Sequence, residues 1–197
     1  MKLKKINRDK LYFTSDPHLH HKNIIEYCNR PYNDIIVHDT SLILNWNNKV
    51  PKDADVIVGG DFIFTSSLEH LKDLVNTLNG TIHLILGNHD YRNRLDRNSV
   101  KEIFSGRVYD VATLEVDDDE LEDGKMTLFI SHYPHMFWQR NTVHLHGHVH
   151  SGPNSTASEV VPFHPYRYDI GVDNNNYEPI SYHELKVILT KRQLRNE

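Results

Sequence analysis

Apolar residues along the chain gather in short runs, and each run stops at polar or ionisable residues. Leu11-Tyr-Phe-Thr-Ser-Asp16, Asp55-Val-Ile-Val-Gly-Gly-Asp61, Thr81-Ile-His-Leu-Ile-Leu-Gly-Asn-His89, Met126-Thr-Leu-Phe-Ile-Ser-His132 and Thr142-Val-His-Leu-His-Gly-His148 have the length and make-up of strands. Between the first three lie helix-like stretches over 22–29, 37–48 and 66–78. The last of these starts at a capping serine, Ser66 or Ser67, and ends beside Gly80. Strand and helix in alternation predict βαβ units on a largely parallel sheet. The second half changes character. Val108 to Val116 and Met126 to Ile130 flank the acidic stretch 117–124, which reads as a hairpin closed by a solvated, charged surface turn. Tyr168 to Asp173 predicts a late strand and Ser181 to Lys191 a closing helix. With no repeat, low-complexity tract or linker, we expect one domain over residues 1–197.

Composition changes this picture in one respect and otherwise excludes alternatives. Histidine numbers 15 and outnumbers both the 9 glycines and the 8 prolines, an excess that asks for chemistry. The 38% hydrophobic and 25% charged residues are those of an ordinary globular domain. No segment approaches the roughly 20 apolar residues of a membrane span. The basic N-terminus (Lys2, Lys4, Lys5, Arg8, Lys10) leads into no hydrophobic signal segment, so we expect a cytoplasmic protein that does not engage a membrane. Cys28 is the lone cysteine and has no intrachain disulfide partner. A net charge of -5 argues against a large footprint on duplex DNA while leaving a nucleotide or a short RNA end open.

The strand ends collect the chemistry. In order they carry Asp16-x-His18, Gly60-Asp61, Gly87-Asn88-His89-Asp90, His132 and Gly147-His148-x-His150. Ligands of open α/β sheets gather outside the carboxyl ends of strands, so these five blocks point to one shared site. Carboxylate, carboxamide and imidazole donors without clustered thiolates suit borderline divalent ions. Four histidines, two aspartates and one asparagine exceed what one ion takes and match two ions sharing a carboxylate, a pair that activates a water and stabilises phosphoryl oxygens. Glycines ahead of Asp61, Asn88 and His148 fit turns where the backbone must come close to the ions.

The ordered blocks D-x-H, G-D, G-N-H-D, H and G-H-x-H resemble the calcineurin-like metallophosphoesterase superfamily, and all five are present between residues 16 and 150. The segment from Lys22 to Pro31 and Gly171-Val172-Asp173 look like its small bacterial and phage-type members. The resemblance implies an α/β fold of two mixed β-sheets flanked by helices, a four-layer αββα sandwich. It implies two divalent metal ions, manganese first, with iron, zinc, nickel or magnesium as alternatives. By position, Asp16, His18 and His150 would hold the first ion, Asn88, His132 and His148 the second, and Asp61 would bridge them. His89, held by Asp90, would be the non-ligand histidine that contacts the phosphate and protonates the leaving oxygen, a role suited to an imidazole paired with a carboxylate.

Departures from the pattern narrow the function. Gly60-Asp61-Phe62-Ile63-Phe64 lacks the second acidic residue and the arginine of the protein phosphatases in this superfamily. We therefore expect a phosphoesterase acting on a small phosphate ester: a phosphodiester of a nucleotide, a cyclic nucleotide or an RNA end, with a phosphomonoester as the alternative. A DNA nuclease would need an added domain that the chain beyond His150 does not readily supply, and the superfamily's binding scaffold lacks the histidine present here as His89. His20 and His21 read either as surface residues at a helix entry or as phosphate contacts. Arg30, Arg92, Tyr133 and Arg140 stand near the blocks and read as phosphate clamps, stacking partners or plain packing residues. His135 and His146 lie close to motif residues and read as rim residues or as supports behind the ligands, while His38, His70, His83, His144, His164 and His183 carry no special assignment.

Overall fold

Alternation within the central strands decides how the layers stack. In β2 (Asp55–Val58) the side chains of Val56 and Val58 point to one face and Ile57 to the other, and all three are fully buried. Both faces of this strand are therefore covered by apolar material. The computed structural model describes residues 6–92, 95–153 and 161–194, so Lys2, Lys4 and Lys5 lie outside the described residues, as does the side chain of Arg92.

The first sheet runs in the order β4-β3-β2-β1-β9. β1 (Leu11–Thr14), β2, β3 (Thr81–Ile85) and β4 (Val108–Tyr109) are parallel, and the edge strand β9 (Ile180–Ser181) pairs antiparallel with β1. The second sheet runs β5-β6-β7-β8, built from β5 (Val111–Asp117), β6 (Lys125–Ser131), β7 (Val143–His146) and β8 (Arg167–Asp169). Its first pair is antiparallel and the other two parallel, so both sheets are mixed. One core lies between them: Phe13, Ile57 and Ile85 meet Leu114, Leu128, Ile130 and Leu145, with Leu185 and Leu189 of α6 (Tyr182–Leu194) joining it. A second core lies between the other face of the first sheet and three helices, α2 (Ile35–Lys49), α3 (Leu68–Thr77) and α5 (Arg97–Ile103), through Leu42, Trp46, Leu71, Leu74, Val100 and Phe104. The fold is thus the expected α/β arrangement of two mixed sheets flanked by helices. Among the described residues no helix is long and apolar enough to cross a membrane.

Side-chain caps account for where these helices begin. The Asp34 carboxylate accepts the amides of Ile36 and Val37 at the start of α2, and the Ser67 hydroxyl accepts that of His70 in α3. α1 is only the single turn Ile24–Tyr27, and the short α4 (Asn88–Arg92) begins inside the Gly-Asn-His-Asp block.

Two expectations from sequence are corrected. Val108 to Val116 is not one hairpin strand: it divides at Asp110, β4 pairing with β3 at the edge of the first sheet and β5 pairing with β6 in the second. Alternation specifies a strand but not which sheet receives it. The acidic stretch is also more than a solvated turn. Asp118 is 1% exposed, its carboxylate paired with Arg8, with Lys186 Nζ at 2.8 Å and with the Tyr182 hydroxyl at 2.8 Å, which anchors the β5–β6 turn to α6. Burial alone would raise the Asp118 carboxyl; hydrogen bonds from Lys186 and Tyr182 outweigh it and hold the group below its ordinary value of 3.8.

A carboxyl depressed on folding contributes stability that is complete above its unfolded pKa and is lost as pH falls through the lower folded value. Asp118→Ala is therefore expected to cost about 2 kcal/mol at pH 7. In urea unfolding, the gap from the parent protein should shrink at pH 3 and below; a gap that stays constant with pH would contradict this role.

Candidate metal centre

Three of the five motif blocks leave a strand end through backbone that most residues avoid. Asp16 (φ 56°), His18 (φ 49°), Asp61 (φ 51°), His148 (φ 72°) and His150 (φ 47°) all adopt left-handed conformations. Asp and His tolerate this region better than most residues, yet five together signal an imposed geometry. The turns are locked to one another. Asp16 N donates to Gly60 O at 3.0 Å, His18 N to Asp61 O at 3.0 Å and Gly147 N to His132 O at 3.0 Å. Two glycines are required by close approach: a Cβ at Gly87 would collide with the carboxylate and amide of Asp61, and one at Gly147 with the Asp16 carboxylate and the Ser15 hydroxyl.

The convergence of these turns brings all seven expected ligands together. Asp61 stands at the middle. Its Oδ2 lies 3.4 Å from His18 Nε2 and 3.5 Å from His132 Nε2, while its Oδ1 accepts the His89 amide at 2.8 Å. On one side, Asp16 Oδ1 has His18 Nε2 at 3.9 Å and His150 Nε2 at 3.8 Å, and Asp16 Oδ2 takes the His148 amide at 3.0 Å. On the other side, His132 Nε2 lies 3.0 Å from Asn88 Oδ1 and 3.2 Å from His148 Nδ1.

Proton accounting shows what this pocket lacks. His132 Nδ1 donates to the Gly59 carbonyl at 2.9 Å, so in the neutral ring Nε2 presents a lone pair to a carboxamide oxygen, a carboxylate and another imidazole. Asp16 Oδ1 and His18 Nε2 are buried with no hydrogen-bond partner among the described residues. Burial, with the neighbouring Asp16 carboxylate next in importance, pushes Asp61 up to about 7. Burial would lower His150, but hydrogen bonding to Asp173 and Cys28 and the charge of Asp16 carry it up to about 11. Acceptors facing acceptors, with Asp61 and His150 shifted toward their protonated forms while burial and then the neighbouring His150 hold His18 well below its ordinary value, fit donors that await a cation. Donor atoms of Asp16, His18 and His150, and separately of Asp61, His132 and His148, lie within 4.8 Å of one another and can each hold a cation.

The residues behind the ligands were mostly not foreseen. Asp173 Oδ2 lies 2.7 Å from His150 Nδ1, which turns Nε2 toward Asp16. Arg30 is neither a phosphate clamp nor a stacking partner but a buried tie: Nε and Nη2 grip Asp173 at 2.9 and 2.8 Å, Nη2 also donates to Asp16 O at 2.8 Å, and Nη1 to Pro17 O at 2.9 Å. His38, which had no assignment, accepts from Arg30 Nη1 at 2.8 Å and donates from Nδ1 to Asp39 at 2.7 Å. Asp169 holds the exit of the Gly-His-x-His block through Ser151 N at 3.0 Å and Gly171 N at 2.7 Å.

The expected pairing of His89 with Asp90 is corrected. Asp90 instead accepts three backbone amides, from Asp61 and Gly87 at 2.8 Å and from Phe62 at 3.0 Å, and so cements the turns of two blocks. Successive helical residues do not face each other, which keeps its carboxylate off the neighbouring imidazole. Burial raises Asp90 to about 6 against those three amides. Of the ambiguous pair, His21 joins the site, its Nδ1 3.1 Å from His18 Nδ1, whereas His20 is exposed near Asp39. Tyr133 sets its ring edge-on to His132 and His148, with centroids 5.0 and 4.5 Å apart. Arg140 and His135 are exposed, His135 packing on Phe129 and His144, while His146 is buried in β7 and donates from Nδ1 to the Gly147 carbonyl at 2.9 Å, a support behind the Gly-His-x-His block and not a rim residue.

This architecture and donor set have relatives. The chain belongs to the calcineurin-like phosphoesterase family, whose profile matches residues 10–183. It is 43% identical over 83 residues to an uncharacterized protein of Methanocaldococcus jannaschii, a match covering 41% of this chain and 47% of that protein, so the matched part is about half the relative's length. It is 29% identical over 160 residues to the Gene 66 protein of Mycobacterium phage L5, covering 71% of this chain and 77% of that one. A protein of unknown function from Aquifex aeolicus has the same fold, with a TM-score of 0.63 and 22% identity over 90% of this chain and 98% of that chain.

The Asp173 tie yields a direct expectation. If His150 holds a cation, Asp173→Ala should weaken divalent-cation binding by about 10- to 100-fold, the usual cost of losing the partner of a ligating histidine. Calorimetric titration with MnCl₂ measures it; unchanged binding would show that Asp173 does not orient a ligating His150.

Proposed function

We propose that the protein hydrolyses a small phosphate ester, preferentially a phosphodiester, with two divalent ions, Mn²⁺ first among them. Asp16, His18 and His150 would hold one ion, Asn88, His132 and His148 the other, and Asp61 would contact both. The observation that carries this reading is the position of Asp61 Oδ2, 3.4 and 3.5 Å from imidazole nitrogens belonging to two different donor sets. The donors fit, because the unpartnered Asp16 Oδ1 and His18 Nε2 are atoms that a cation would satisfy. When bound, the ions supply an activated water and offset the charge of the phosphoryl oxygens.

The protein's own residues supply the rest. His89 also lies within reach of His18 and Asp61 as a possible donor to a cation. We assign it to the substrate instead, because Asp16, His18, His150 and Asp61 already serve that ion and a catalytic site keeps coordination positions open. Its amide is fixed by Asp61 Oδ1 and its ring lies 5.0 Å from that of His18. As a water oxygen bonds to phosphorus and releases its proton to solvent, the bond to the leaving oxygen breaks; the protonated His89 imidazole gives its proton to that oxygen and later recovers one from solvent. The net charge of -5 supports a small ester or a nucleic-acid end over duplex DNA.

Two substitutions separate these roles. Asp61→Ala should lose both ions together in metal analysis by mass spectrometry, and retention of one tightly held ion would contradict a shared ligand. His89→Ala should keep its metal content while turnover of bis(p-nitrophenyl) phosphate falls by roughly 10²–10⁴. Wild-type turnover in that variant would remove His89 from the mechanism, and wild-type activity resistant to chelators would refute the metal-dependent reading altogether.

A further inference from the structure

The second block ends in an aromatic residue that the fold leaves in solvent. Phe64 is 42% exposed, yet its ring stacks on that of His21 with centroids 4.6 Å apart and planes 15° from parallel. Tyr27, 60% exposed, stands edge-on to His21 at 6.3 Å. The backbone fixes this pair in place: Phe64 N donates to Leu19 O at 2.7 Å, Leu19 N to Phe62 O at 3.2 Å, and His21 N to His18 O at 3.1 Å. Phe64 and His21 thus sit on two segments bonded to each other and to the turns that carry Asp61 and His18.

Position gives the pair its meaning. The His89 ring lies 5.5 Å from His21 and 6.0 Å from Phe64. If His89 protonates the leaving oxygen, whatever that oxygen carries must pass beside these rings. We propose that Phe64 and His21 form a stacking subsite for a nucleobase on the leaving group of the phosphate ester. The inference rests on the reading of His89 given above. Flat aromatic surface accepts any base without reading its hydrogen-bonding edge, so the subsite selects nucleosides as a class and not one base. Phe64 belongs to neither of the cores on the two sides of the first sheet.

Binding of substrate-like monoesters tests the subsite apart from the phosphate chemistry. Mn²⁺-loaded protein carrying His89→Ala, which suppresses turnover, is titrated calorimetrically with adenosine 5′-monophosphate and with ribose 5-phosphate. The nucleotide should bind about tenfold tighter, the scale of one base stacked on an aromatic side chain. Adding Phe64→Ala should bring the two affinities together, and Phe64→Trp should keep them apart. Equal affinities without the Phe64 change would overturn the stacking subsite and leave the phosphoesterase reading standing. Failure of both ligands to bind would overturn that reading and the subsite with it. A change in oligomeric state on Phe64→Ala, with the affinity ratio intact, would show that the rings serve self-association and would also overturn the proposal.

Discussion

Two carboxylates buried among imidazoles, with no lysine or arginine side chain paired to them among the described residues, are the constraint on which the rest of the structure turns. Asp16 and Asp61 are both buried, and the Arg30 guanidinium behind them spends its donors on Asp173, on two carbonyl oxygens and on His38. Isolated buried charge is expensive, and a folded protein answers with neutralisation or with a cation. The rise of Asp61 to about 7 is the first answer. The geometry of its two oxygens, one on an amide and one between two rings, is built for the second.

Holding that arrangement requires backbone support from far along the chain. Left-handed turns at Asp16, His18, Asp61, His148 and His150 persist because each is tied to another block by main-chain bonds or by a buried side chain. Asp90 closes the turns around Asp61 and Gly87. Arg30 and Asp173 join the first block to the segment that leaves β8 and aim His150 on the way. These ties pre-set the donor geometry before any ligand arrives, which is how a site keeps reorganisation costs low.

What was legible in the sequence had local causes. Short apolar runs ending in ionisable residues are the direct image of parallel strands whose carboxyl ends carry a site, and the capping serine marked where α3 begins. The ordered blocks placed seven candidate ligands that the fold does bring together. What was not legible depends on pairing across long separations. Arg30 meets Asp173 across 143 positions, and Asp118 meets Arg8 across 110, so neither a clamp turned tie nor a surface turn turned anchor announces itself locally. The division of 108–117 between two sheets has the same origin, because its pattern suits either sheet. Asp90 misled for a different reason: adjacency in sequence on a helix separates side chains instead of pairing them.

The excess of histidine resolves by place. Some rings surround Asp61, His21 stacks beside them, His38 and His83 pair with aspartates, and His144 is packed in an aromatic cluster with Phe129 and Trp138. The central claim is that one buried carboxylate organises two cation sites side by side. Electron paramagnetic resonance of the protein titrated with Mn²⁺ tests it most directly, since ions sharing a ligand some 3.5–4 Å apart couple magnetically. The account expects two equivalents per chain and an exchange-coupled multiline spectrum at full loading. A six-line spectrum of an isolated ion that saturates at one equivalent would contradict it.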